Sequence, residues 1–203
     1  LKVFARKLDG NNASDGVARK RFENEMRFLS NVKYISFPRF IAQGEKDGRP
    51  WYVMELLEDR NLPSDDAGTA DFIVKISKCV QLLHSMGYVH RDIKPGNIMY
   101  RHDGTPVLVD MGLLKRLDSG NVIVGNDSAL SVVDGKAVGV GTPRYAAPEQ
   151  FIGGEISPAA DIHALGMLIN ECFKGELKGC WERIVACATS SIPERRYRNV
   201  LEF

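Results

Sequence analysis

The sequence predicts an α+β fold, with a small antiparallel sheet placed ahead of a larger, mainly helical part. Three observations predict it. Strand-like runs crowd the early part of the chain, at residues 1–8, 38–43 and 50–57. Long apolar-periodic segments, at about 66–86 and 159–173, dominate the remainder. Between them a short loop carries His90, Arg91, Asp92, Lys94 and Asn97, with apolar runs on both sides (Leu82-Leu83 and Val107-Leu108-Val109). So many polar groups between buried flanks are costly unless the loop performs chemistry.

A chain of 203 residues can bury a full core, and 44% hydrophobic with 26% charged residues is ordinary for a globular protein. A net charge of +1 gives no basic field for nucleic acid or an anionic membrane. No apolar run reaches membrane-spanning length. The chain opens on Leu1 without a basic, cleavable leader, so no signal peptide is expected, and a start without Met suggests a fragment. Cys79, Cys172, Cys180 and Cys187 form no Cys-x-x-Cys pair and have no His cluster beside them, which argues against zinc. Free thiols, mostly buried, in a reducing cytoplasm are the expectation.

The elements run in order along the chain. Residues 1–8 read as a strand, and Asp9 to Gly16 as a polar turn-rich loop. Val17, Phe22, Met26 and Leu29 recur at helical spacing over 17–30, with Glu25 at the edge of the stripe. The strands at 38–43 and 50–57 are joined through Glu45-Lys46-Asp47-Gly48, a hairpin-type turn. Asn61-Leu62-Pro63-Ser64 breaks the pattern, and a helix from about Asp66 to Met86 places Phe72, Ile76, Val80 and Leu83 on one face. Gly87 closes it. Beyond the polar loop come short strands at 98–101 and 106–109 around His102-Asp103-Gly104. Residues 112–144, rich in Gly, Ser, Asp and Asn, read as a long loop, and loops of that length are usually functional. The helix from Ala159 to Phe173 is apolar on nearly all sides and therefore buried. The last helical pieces are expected at about 178–189 and 197–203.

Five strings of residues in a fixed order resemble the protein kinase family. His90-Arg91-Asp92-Ile93-Lys94-Pro95-Gly96-Asn97 resembles the catalytic loop, and Asp110-Met111-Gly112 the metal-binding Asp-Phe-Gly, with Met in place of Phe. Gly141-Thr142-Pro143-Arg144-Tyr145-Ala146-Ala147-Pro148-Glu149-Gln150 resembles the end of the activation loop in bacterial members. Asp161-Ile162-His163-Ala164-Leu165-Gly166 resembles the helix start whose Asp anchors the catalytic loop. Pro193 to Arg196 resembles the segment whose Arg pairs with the Glu of Ala-Pro-Glu, here Arg196 with Glu149. The resemblance is to a eukaryotic-type Ser/Thr protein kinase domain, bacterial-like. It implies a two-lobed fold over 1–203, with a partial small lobe at 1–54, a hinge at 55–60 and a large lobe at 61–203.

The same resemblance implies the site. Asp92 takes the substrate hydroxyl proton, and Lys94 bridges to the γ-phosphate. Asn97 and Asp110 hold Mg2+ or Mn2+, and Thr142 contacts Asp92 and Lys94. Phe4-Ala5-Arg6-Lys7 resembles the strand whose Lys clamps the ATP phosphates and pairs with a helix Glu, here Glu25. Lys7 is the first choice and Lys2 the rival. Met54 is the expected gatekeeper, the backbones of Glu55 and Leu57 face the adenine edge, and Ala5 and Met99 sandwich the ring. Arg91 is expected to meet a phosphorylated activation-loop residue, the candidates being Ser119, Ser128, Ser131 and Thr142. The Gly-rich loop that covers the phosphates would precede Leu1, so the domain is read as N-terminally truncated. The stretch from Phe173 to Trp181 is short for a substrate-docking helix. The implied activity is ATP-dependent phosphoryl transfer to Ser/Thr hydroxyls of protein substrates in signalling, with autophosphorylation. The alternatives are a pseudokinase or scaffold, or an inactive fragment, and a small-molecule phosphotransferase.

Overall fold

A computed structural model describes residues 2–3, 13–117, 130–133, 136–139, 141–152 and 155–203. The α+β expectation holds. Strand β1 (Lys2–Val3) pairs antiparallel with β3 (Arg49–Met54), which pairs antiparallel with β2 (Phe40–Lys46), giving the order β1-β3-β2. Residues 4–8 of the expected first strand lie outside the described residues. The β2–β3 hairpin turns on only two residues, Asp47 and Gly48, both at positive φ (53° and 71°). That pair of left-handed residues matches the right-handed twist of the strands, so β2 runs on through Glu45 and Lys46, and the turn is shorter than the four residues expected.

Helix α1 (Ala13–Asn31) lies against this sheet and begins four residues before the apolar stripe. Helix α2 (Asp66–Ser85) starts on Asp65, whose carboxylate accepts from Gly68 N at 2.8 Å. Its expected face is the buried one, with Phe72, Ile76, Val80 and Leu83 all under 5% exposed. They pack with Leu165, Leu168 and Ile169 of α3 (Ala159–Cys172) and with Leu108 and Met111, in a cluster that also reaches Phe22, Leu29 and Tyr52. One core thus supports both the sheet and the helices.

Short pairings frame the polar loop. Strand β4 (Tyr88–Val89) enters it, and β5 (Ile98–Tyr100) leaves it to pair with β6 (Pro106–Leu108). Three expectations need correction. The segment 112–144 is not only loop: β7 (Lys115–Arg116) pairs with β4, and β8 (Leu130–Val133) forms a hairpin with β9 (Lys136–Gly139). The terminal helix at 197–203 is replaced by turns after a 3-10 turn at Pro193–Arg195. There Asn199 Oδ1 accepts from Leu201 N at 2.9 Å and Glu202 N at 3.2 Å, capturing N–H groups in a local turn. The thiols are free as expected, but only Cys79 and Cys172 are buried; Cys180, which opens α4 (Cys180–Ala188), is exposed. Between α3 and α4 the backbone makes turns with no helix.

Candidate active site

The polar loop is held from behind by one buried acid. Asp161, in the first turn of α3, is fully buried. Its Oδ2 accepts from His90 N and His84 Nε2, each at 2.8 Å, and its Oδ1 from Arg91 N at 2.9 Å. Burial alone would raise the Asp161 pKa, but the His84 hydrogen bond and nearby imidazoles outweigh it and hold the carboxyl below its usual range. His90 is equally buried. Its Nδ1 accepts from Asp92 N at 3.3 Å, which leaves Nε2 as the protonated nitrogen donating to Val109 O at 3.2 Å. His90 therefore ties the polar loop to the residue before Asp110.

Asp92 sits at the centre of a closed polar cluster. Lys94 Nζ donates to Asp92 Oδ2 at 2.7 Å and to Thr142 Oγ1 at 2.8 Å, while Thr142 Oγ1 donates to Asp92 Oδ1 at 2.8 Å. Asn97 Nδ2 donates to Asp92 O at 2.8 Å and to Oδ2 at 3.0 Å. Asn97 ends a 3-10 turn begun by Pro95, so it follows Asp92 closely enough to bond back to it. Asn97 O accepts from Val109 N at 2.9 Å, which brings Asn97 and Asp110 to neighbouring strand ends. Asp110 is left-handed (φ 62°), and its Oδ1 accepts from Gly112 N at 3.3 Å. Asn97 uses its side-chain nitrogen on Asp92, so the atom it can offer a metal is Oδ1. That oxygen and the Asp110 carboxylate are hard ligands of the kind Mg2+ takes, so the donor set fits the metal.

The segment carrying Thr142 is fastened to the same frame. Gly141 has φ +113°, and a Cβ there would lie 2.9 Å from Ala146 Cβ, Arg91 O and Gln150 Nε2. Gln150 Nε2 donates to Arg91 O at 2.8 Å, and Gln150 Oε1 accepts from Ala147 N at 3.1 Å. Arg196 meets Glu149 as expected, and the pair is two-pronged, at 2.6 and 2.8 Å.

The other wall comes from the sheet. Glu25 is 3% exposed on α1. Burial, then the Glu25 carboxylate, then Asp110 push the Tyr52 hydroxyl far above its ordinary pKa, which places all three groups in one neighbourhood. Lys2 is the backbone partner of Tyr52 in the β1–β3 register. Lys7 and Ala5 lie outside the described residues, as do Ser119 and Ser128, while Ser131 falls in β8. Leu57, Val107, Val109 and Met99 form a small apolar cluster of their own beside the 55–57 segment. Met54 joins the main core instead. Backbone bonds anchor this segment on both sides: Glu55 N donates to Arg39 O at 2.9 Å, and Glu58 and Tyr100 exchange bonds at 2.7 and 2.8 Å. Sequence reasoning missed His84 and Gln150. Only Gln150 carried a signal, as the end of Pro-Glu-Gln.

A sequence model of the family described as Protein kinase domain matches residues 2–183. The serine/threonine-protein kinase PknA of Mycobacterium tuberculosis is 29% identical over 206 residues, covering 95% of this chain and 45% of the relative. The serine/threonine-protein kinase PknH of Mycobacterium bovis is 29% identical over 171 residues, covering 80% of this chain and 27% of the relative. The chain thus spans less than half the length of these relatives.

Proposed function

From the premise that this chain belongs to the protein kinase domain family, we propose that it transfers the γ-phosphoryl group of ATP to Ser or Thr hydroxyls of protein substrates. The observation that carries this reading is the closed cluster of Asp92, Lys94, Thr142 and Asn97. Phosphoryl transfer asks a protein for positioning and charge neutralisation, with little covalent chemistry. Asp92 orients the acceptor hydroxyl and takes its proton. Lys94, already bonded to Asp92 and Thr142, supplies a positive charge beside the transferring group. Thr142 holds the Asp92 carboxylate from its other oxygen. Asn97 and Asp110 would hold a divalent cation, which neutralises phosphate charge when bound. Leu57 and Met99 offer an apolar platform for the base, bordered by the backbone of residues 55–57. The register of Lys2 opposite Tyr52, which adjoins Glu25, supports Lys2 as the phosphate clamp.

Incubation with labelled Mg-ATP and a generic protein substrate tests the reading. Asp92→Asn keeps the size and removes the base, and transfer should fall by at least ~10²–10⁴. Near-normal turnover in that variant sinks the assignment. Lys2→Met and Lys7→Met, assayed side by side, separate the two lysines: loss of ATP binding is expected for Lys2→Met alone.

Among the described residues no helix is long and apolar enough to cross a membrane. Autophosphorylation in the window between Asp110 and Glu149 is part of the same proposal, and mass mapping after incubation with Mg-ATP decides it.

A further inference from the structure

A charged fork lies behind the segment that joins sheet to helices. Arg101 follows β5 directly and uses all three guanidinium nitrogens. Nε donates to Glu55 Oε2 at 3.2 Å, and Nη2 to Glu55 Oε1 at 2.7 Å and Phe37 O at 3.2 Å. Nη1 donates to Ile35 O at 2.7 Å. Glu55 Oε1 also accepts from Arg39 N at 2.9 Å. The two side chains are 18% and 15% exposed, so water competes little for the bonds between them, whereas the bonds to Ile35 O and from Arg39 N are exposed. Charge-assisted two-pronged pairs of this kind are both strong and directional.

The fork brings three segments together. Glu55 opens the 55–57 stretch. Ile35 and Phe37 lie in the connection after α1, the helix that carries Glu25. Arg101 directly follows the strand that carries Met99. A cavity of about 500 Å3, lined in part by Tyr34, Phe37, Phe40, Glu55 and Arg101, opens beside the fork. Dense packing therefore does not hold the back of residue 55, and the polar bonds must do so. None of the fork's partners belongs to the Asp92 cluster.

We propose that Arg101 is a positioning residue for nucleotide binding, acting through Glu55 to hold the backbone of residues 55–57 level with the Leu57–Met99 platform. It sets affinity for the base and leaves the transfer step itself to the Asp92 cluster. The inference rests on the kinase reading above. Titration calorimetry with Mg-ATP and with Mg-tripolyphosphate, which lacks a base, tests it. Arg101→Ala should weaken ATP about tenfold and tripolyphosphate by less than about twofold. At saturating ATP, kcat should hold while KM for ATP rises. Arg101→Lys, which keeps the charge and loses the fork, should show the same split at smaller size, and it carries the test if the alanine variant fails to fold. Unchanged ATP affinity, equal weakening of both ligands, or a fall in kcat at constant KM each overturns the proposal. A wild-type chain that binds neither ligand overturns the kinase reading itself.

Discussion

Removing Arg196 should be the most destabilising single change on the helical side. Its side chain is fully buried, and Glu149's is 7% exposed. The guanidinium donates twice to Glu149, once from Nη1 to Ala159 O at 2.9 Å, and once from Nε to Ser190 O at 2.8 Å. Arg196→Ala strands a buried carboxylate without its counter-charge, which costs roughly 3–5 kcal/mol. For a chain of this size that corresponds to a fall in Tm of roughly 6–20 °C. The sign of the pH dependence follows from Glu149. Burial pushes its pKa up, yet the Arg196 hydrogen bond and charge hold it below the ordinary carboxylate range. In the wild type this contributes stability that is present above the unfolded pKa of about 4.3 and is lost as pH falls through the folded value. In the variant burial, the largest influence, is opposed only by a backbone hydrogen bond and the nearby His163, so the folded pKa moves up and the carboxyl destabilises the variant more as pH rises. The gap between wild type and variant should therefore narrow from pH 7.5 to pH 5. Urea denaturation at the two pH values measures it. A gap below about 1 kcal/mol, or one that does not change with pH, would refute a buried, energetically coupled pair.

Other outcomes rest on the same frame. Gly141→Ala should cost about 1–3 kcal/mol, because its Cβ meets three atoms at 2.9 Å and the backbone is at φ +113°; a thermal melt within a degree of wild type would contradict the geometry. The same variant should lose phosphoryl transfer as well, since the collision displaces Arg91 O and Gln150, which hold the polar loop. His163 is pushed below its ordinary pKa chiefly by burial, so it contributes stability above about pH 6.5 that is lost on acidification through the folded value. His163→Gln should flatten the stability profile between pH 7 and 5, and a slope equal to wild type would remove His163 as its source.

Much of this architecture is legible in the amino-acid sequence, for identifiable reasons. The buried face of α2 is legible because a long helix repeats its period often enough to reveal the register through Phe72, Ile76, Val80 and Leu83. The Asp92 cluster is legible because its members are close in sequence, and Thr142 enters through a distinctive string. The β8–β9 hairpin is not, since four-residue strands around Asp134-Gly135 offer too few alternations against a loop-like composition. His84 binds Asp161 across 77 positions, and nothing in a lone helix-end histidine announces that partner. Arg101 reads as an ordinary arginine after a strand, and its value comes from three segments that only folding brings together. Local periodicity and short motifs survive in a sequence; contacts between distant, unremarkable residues do not.

Backbone strain connects these bonds to the chemistry. Among the described residues, the non-glycine residues at positive φ are Asp47, Arg91, Asp110 and Lys174. Asp47 occupies a tight hairpin, where that conformation is ordinary. Arg91 and Asp110 instead flank the proposed reaction centre, and a residue held in that region costs on the order of 1–3 kcal/mol. The conformation persists because distant groups over-determine it. Arg91 N is held by Asp161, Arg91 O by Gln150, and Arg91 Nε donates to Leu113 O at 2.6 Å. Asp110 follows Val109, whose carbonyl accepts from His90 Nε2 and whose N–H donates to Asn97 O. These bonds come from four stretches of the chain, namely α3, the segment after Gly141, the 3-10 turn at Met111–Leu113, and the polar loop itself. The aim of the Asp92 carboxylate is therefore a property of the assembled domain, and the loop from His90 to Asn97 could not hold its own geometry if it were excised. Phosphoryl transfer depends on positioning to a degree that makes this coupling consequential, because small losses of alignment cost rate before they cost stability.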